Sequence, residues 1–221
     1  MQHTIKHKPS YALLHVDLQP GDCIQSESGS MVYMNGTIDV STNAGGSILS
    51  ALARKILGGE SFFFNNYTVS GAPASLGLAG PMAGDIQHLA LNGQRVYVQG
   101  GSFLCATPGI SMKTKFGGLR SLLSGEGLFL LRVEGTGDLF LSSYGSIIPI
   151  EVENSFIVDT GHIVAFEDSL EYNIRRAGNW KSTFFSGEGL VTEFTGRGTV
   201  WIQTRVPSGF IQWLIRLLPG E

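Results

Sequence analysis

Two motifs recur in the same order three times along this chain, and that recurrence restricts the fold more than any single residue does. The first is an eleven-residue frame: "IQSESGSMVYM" (24–34), "VYVQGGSFLCA" (96–106) and "FIVDTGHIVAF" (156–166) align without gaps. Each opens on an apolar residue and carries an acid or amide at the fourth position, a glycine at the sixth and an apolar residue at the eighth. The glycines, Gly29, Gly101 and Gly161, lie 72 and 60 residues apart. The second motif is Gly-Glu before an apolar run: "LGGESFFF" (57–64), "LSGEGLFL" (123–130) and "FSGEGLVT" (185–192). Its glutamates, Glu60, Glu126 and Glu188, follow the frame glycines by 31, 25 and 27 residues. A glycine turn before a β-rich run closes each unit, as in "VSGAPASLGL" (69–78), "EGTGDLFL" (134–141) and "TGRGTVWI" (195–202). The order predicts one domain over 1–221 with pseudo-repeats near 11–80, 81–145 and 146–205, followed by a tail, 206–221.

Within each unit the local pattern is that of a strand. "TVWIQTRV" alternates Val200, Ile202, Thr204 and Val206 against Trp201, Gln203 and Arg205, the period of two expected of a half-buried strand. Short Val, Ile, Phe and Tyr runs are separated by Gly and Asn-Gly, as hairpins require. The frame glycine falls where one strand must reverse into the next, which predicts a positive φ there. Helical signal is confined to "GGSILSALARKIL" (45–57), with Ile48, Leu52 and Ile56 at helical spacing, and "SGFIQWLIRLL" (208–218), with Ser208 as N-cap and Pro219 as stop. The fold class expected is therefore all-β, with one or two short helices. Only 15% of residues are charged and 43% are apolar, which argues against disorder. A chain of this length buries about 70% of its unfolded surface in one core.

In a repeat fold the Gly-Glu glutamates have a structural reading: each begins the long strand of its unit and accepts backbone or basic-side-chain hydrogen bonds there. A catalytic reading needs all three acids to converge, and repeats usually hold equivalents apart. Eight of the 15 basic residues precede the Gly-Glu steps: Arg54 and Lys55; Lys113, Lys115 and Arg120; Arg175, Arg176 and Lys181. Read as loops, they would ring one end of a three-fold body as a basic patch, beside Ile56, Leu57, Phe116, Leu119, Trp180 and Phe184. Such a patch suits an anionic membrane surface or a protein partner. The plainer reading is solvated residues that keep strand edges from pairing.

Other chemistry is not legible. The histidines, His3, His7, His15, His88 and His162, make no metal-ligand spacing, and neither a phosphate loop nor a nucleophile elbow occurs. No cofactor or metal is expected, and an enzyme is the least favoured class. Cys23 and Cys105 form no C-x-x-C pair and read as free, buried thiols, suited to a reducing cytoplasm. The first residues lack a secretory apolar region, and no window approaches 18 uninterrupted apolar residues. The expectation is a cytoplasmic protein, peripheral to the membrane at most. The net charge of −3 gives no bulk attraction to nucleic acid.

The sequence resembles the family of the altered-inheritance-of-mitochondria protein 24, whose bacterial and archaeal members are mostly uncharacterised. The resemblance is carried by "GSMVYMNG" (29–36), "GGESFFF" (58–64), "LFLSSYGSI" (139–147), "VDTGHIVAFEDSLEYNI" (158–174) and "SGEGLVTEFTGRGTVWIQTR" (186–205). That family is grouped with the tryptophan RNA-binding attenuation protein (TRAP-like). The resemblance implies three repeated β units in a TRAP-like sandwich or barrel of double-stranded β-helix type, and a tendency to form homo-oligomers. It implies no established catalysis and supplies no catalytic motif. Two functional classes follow. One is a non-catalytic oligomeric scaffold or adaptor, most simply a trimer, touching a membrane or protein through the basic residues and the "FIQWLIRLL" tail. The other is an RNA- or small-ligand-binding protein, suggested by the TRAP-like grouping alone. RNA binding calls for basic residues interleaved with stacking aromatics on exposed strands. The weakly charged strands here favour the first class.

Overall fold

Seventeen strands and one α-helix appear among the described residues of a computed structural model, which describes 1–44, 63–116, 129–176 and 190–218. The chain is thus nearly all β. The expected helix at 45–57 lies outside the described residues.

β1 (Gln2–Lys6) precedes the first expected unit, which contains β2 (Leu13–Leu18), β3 (Cys23–Glu27), β4 (Met31–Asn35), β5 (Ile38–Ala44), β6 (Phe63–Val69) and β7 (Ala74–Leu78). The second contains β8 (Ile86–Gln99), β9 (Phe103–Ala106), β10 (Ile110–Phe116) and β11 (Phe129–Ser142). The third contains β12 (Ile147–Val152), β13 (Ser155–Asp159), β14 (Ile163–Glu167), β15 (Glu171–Arg176), β16 (Leu190–Thr195) and β17 (Gly198–Gln203), followed by α1 (Pro207–Ile215). They form three antiparallel sheets: β1-β2-β7-β4; β12-β17-β14-β8-β11-β9-β3-β6-β5 with β10 added on β11; and β13-β16-β15. None of the three sheets closes on itself, so the barrel form of the expectation does not apply.

One pairing scheme recurs in all three units. Ile24 faces Tyr67, Val96 faces Val133, and Phe156 faces Phe194. On the other edge of the same strands, Val40 faces Tyr67, Met112 faces Val133, and Tyr172 faces Phe194. The strand after the frame glycine also pairs alike: Tyr33 with Gly77, Cys105 with Phe140, Ala165 with Trp201. Even the register shift in that strand is shared, skipping Val32, Leu104 and Val164. The second unit does this with fewer strands, because β8 and β11 are 14 residues each and span what are two strands elsewhere. β11 bends at Gly135 (φ +135), where a side chain would collide with the Gly109 carbonyl.

The apolar alternation explains where the core lies. In β2, Leu14, Val16 and Leu18 point inward and are fully buried, with Leu76 and Leu78 of β7 beside them. Three apolar clusters result, and each draws residues from a neighbouring unit. Leu104, Cys105 and Phe140 complete the first unit's cluster, while Tyr97 and Leu130 complete the third's. Units are therefore joined by shared cores as well as by strand pairing.

Candidate functional site

The frame glycines all sit at strand reversals, but only one has the expected backbone. Gly29, between β3 and β4, has φ +87. Gly101 and Gly161 lie in short 3-10 turns (Gly100–Ser102 and Thr160–His162) and are not among the positive-φ glycines. The 3-10 geometry reverses the chain with ordinary φ values, so left-handed backbone is not required there. At Gly161 the constraint is proximity instead. Its N–H donates to Asp159 Oδ1 at 2.8 Å, and an added Cβ would lie 3.2 Å from Val206.

Glu60, Glu126 and Glu188 lie outside the described residues, as do Arg54, Lys55, Arg120 and Lys181. The remaining basic residues are not in loops. Lys113 and Lys115 belong to β10, and Arg175 and Arg176 to β15. Lys113, Arg175 and Arg176 are exposed, and Arg175 Nε donates to Glu193 Oε2 at 3.1 Å on the neighbouring strand. An exposed pair of this kind contributes little stability, about 0.2–1 kcal/mol.

Two polar clusters escaped the sequence reading, because their members are far apart in the chain. Arg95 donates to Glu134 at 2.9 Å and to Asp168 at 2.7 Å, while Arg132 donates to Glu134 at 2.7 Å. These bonds hold the Glu134 carboxyl below its ordinary range, Arg132 contributing most and Arg95 next. Asp168 follows β14, so the network ties the third unit to the second. The other cluster sets the His3 ring tilted against His88, centroids 4.5 Å apart, with His88 Nε2 2.6 Å from Asp138 Oδ1. Partial burial, then the neighbouring His88, lowers the His3 imidazole below its ordinary value. No group of three or more His, Cys, Asp or Glu residues placed to hold a metal occurs among the described residues.

Cys105 is buried and Cys23 only half-buried; both are free. Burial pushes the Cys105 thiol well above its ordinary range, with Asp138 adding to the shift. A thiol held protonated in this way is a poor nucleophile.

Among the described residues, a run of exposed apolar side chains lies near the C-terminus. α1 begins at Pro207 with Val206 as N-cap, not Ser208, because proline's fixed φ suits the first helical position. It runs to Ile215 and has no buried residue. Ile211, Trp213, Ile215, Leu217 and Leu218 are each at least half exposed. Phe210 rests edge-on against Tyr144 and beside Trp213, with centroids 6.2 and 5.9 Å apart. Under the helix start, a cleft of about 320 Å³ is lined by Tyr144, His162, Arg205, Phe210 and Trp213 among others. His162 Nδ1–H donates to the Gln203 carbonyl at 2.6 Å, so the imidazole braces the end of β17. No helix among the described residues is long and apolar enough to cross a membrane.

A second exposed apolar surface runs along β4, where Met31, Val32 and Met34 face solvent; Ile157 does so on β13. Both strands are sheet termini.

The profile of the family described as mitochondrial biogenesis AIM24 matches residues 3–205. An uncharacterised protein of Streptococcus pyogenes serotype M6 is 30% identical over 228 residues, covering 99% of this chain and 92% of that protein. A Streptococcus pyogenes protein solved by X-ray crystallography is also 30% identical, with a TM-score of 0.81 over 98% of this chain and 99% of the other.

Proposed function

The chain belongs to the mitochondrial biogenesis AIM24 family, and from that premise we propose that it works as a non-catalytic homo-oligomeric scaffold or adaptor. The observation that carries this reading is the exposure of large apolar side chains on two separate elements. Met31, Val32 and Met34 of β4 and Ile157 of β13 are all exposed on the single chain. Soluble monomers rarely leave contiguous apolar patches uncovered, and covering them with further copies is the commonest solution. A trimer is the state expected. Light scattering at micromolar concentration tests it: a mass near three times the 23.7 kDa chain is expected, and a single-chain mass would overturn the reading.

A second reading assigns α1 to an anionic membrane surface. It is supported by the composition of 195–220, which holds Arg197, Arg205 and Arg216 and no acid. Trp213 would lie at headgroup level with the leucines below it. Flotation with phosphatidylserine vesicles, against phosphatidylcholine vesicles, tests this contact. Failure to float in both would remove it and leave the scaffold reading standing.

A further inference from the structure

We infer that one copy of the chain docks head-to-tail on the next by pairing its β4 edge with the partner copy's β13 edge, in a defined antiparallel register; this rests on the scaffold reading and names its interface.

The argument comes from the joints between units inside one chain. The strand after each frame glycine pairs with the strand before the frame glycine of the preceding unit. β9 of the second unit pairs with β3 of the first, with Gln25 facing Ala106 and Ser26 facing Cys105. β14 of the third unit pairs with β8 of the second, with Tyr97 facing Phe166 and Val98 facing Ala165. In the gapless alignment of the three frames Tyr97 stands where Gln25 does, Phe166 where Ala106 does, Val98 where Ser26 does, and Ala165 where Cys105 does. The two joints therefore share one register, residue for residue.

A chain of three units has two such joints and one unmatched half at each end. β4 is the first unit's copy of β9 and β14, and it pairs with β7 alone. β13 is the third unit's copy of β3 and of the second half of β8, and it pairs with β16 alone. Among the described strands these are the two edges left open in one unit and covered in the other two. Burial follows the pairing. All four residues of β9 are buried, as are Ile163–Phe166 of β14, whereas the apolar Met31, Val32 and Met34 of β4 are exposed. Likewise Ile157 is 50% exposed, while its equivalent Tyr97 is 7% exposed.

Carrying the shared register to the open halves sets Met34 opposite Ile157, Tyr33 opposite Val158 and Asn35 opposite Phe156. Met34 and Ile157 are thus two exposed apolar side chains placed as a direct cross-strand pair. Each copy uses a different surface to meet each neighbour, so the contact is heterologous and closes into a ring when the rotation allows. An open apolar edge without such a partner would be an aggregation hazard.

The test uses the full chain with Met34→Lys, Ile157→Asp, and both together. Each single change should reduce the scattering mass to that of one chain while the circular dichroism spectrum stays that of the folded chain, since both side chains are exposed on the single chain; the thermal midpoint should fall only by what association contributes. The double variant, which places Lys opposite Asp at every joint, should recover the oligomer. Met34→Cys with Ile157→Cys should in addition give interchain disulfides on oxidation, because directly opposed strand residues lie within disulfide reach; neither single cysteine variant should. A wild-type chain that is itself a monomer would overturn both this inference and the scaffold reading. An oligomeric wild type whose mass survives Met34→Lys and Ile157→Asp would overturn this interface alone. A disulfide formed within one chain would do the same.

Discussion

Phe166 stands opposite Tyr97 where β14 meets β8, their ring centroids 5.2 Å apart, while the equivalent pair one joint earlier is Ala106 opposite Gln25. The same backbone register therefore carries an aromatic joint in one place and a small polar one in the other. Phe166 is fully buried and its ring also meets Tyr172 and Phe194, at 5.0 and 4.9 Å. Phe166→Ala should destabilise the chain by about 3–5 kcal/mol, as expected of a large side chain removed from a packed core. Gln25, half-buried and bonded to Asn66 Oδ1 at 3.1 Å, should cost only about 0.5–1.5 kcal/mol on change to Ala. Urea denaturation of the two variants checks the ranking; equal losses would show that the joints are not held by their side chains.

The frame glycines separate by backbone conformation. Gly29→Ala should cost about 1–2 kcal/mol, because φ is +87 and the site is otherwise open. Gly101 is equally open but has no positive φ. Gly101→Ala should therefore be neutral or stabilising by up to about 1 kcal/mol through the unfolded chain. Thermal midpoints decide this, and a Gly101 loss equal to that at Gly29 would contradict it.

Acidification should loosen β1. The folded state holds the His3 imidazole below its ordinary value, chiefly by burial and then by the His88 charge. The unfolded chain, with an imidazole near about 6.5, therefore takes up the proton first. The associated stability is full above that value and is lost as pH falls below it toward the folded value. Hydrogen exchange of Gln2–Lys6 amides, corrected for intrinsic rates, should be faster at acid pH than at neutral pH. His3→Phe keeps the edge contact on Phe140 and should abolish the difference.

Removing the tail should separate assembly from surface contact. α1 has no buried residue, so deleting 208–221 should change stability by about 1 kcal/mol or less. The oligomer joined through β4 and β13 should persist, while flotation with anionic vesicles should be lost. Dissociation of the oligomer on truncation would place the tail in the interface instead.

Much of the fold can be read directly along the chain. Side-chain direction in a strand alternates with every residue, so Leu14, Val16 and Leu18 announce their shared face, and frames such as 24–34 and 156–166 announce equivalent hairpins. The helical tail is legible for the same reason, through the spacing of Phe210, Trp213, Leu214 and Leu217. Other features belong to the tertiary structure. Frames that share one pattern place Gly29 in left-handed backbone and Gly101 and Gly161 in 3-10 turns, a difference the shared pattern does not carry. The basic residues of β10 and β15 read as loops because exposed charges interrupt the apolar alternation that marks a strand, although each strand pairs with the next one in the chain. Above all, only the assembled sheets reveal that β4 and β13 are open while their equivalents are paired. Pairing between strands is made by backbone N–H and C=O groups that every residue carries, so no side-chain pattern could have marked which edges remain unmatched.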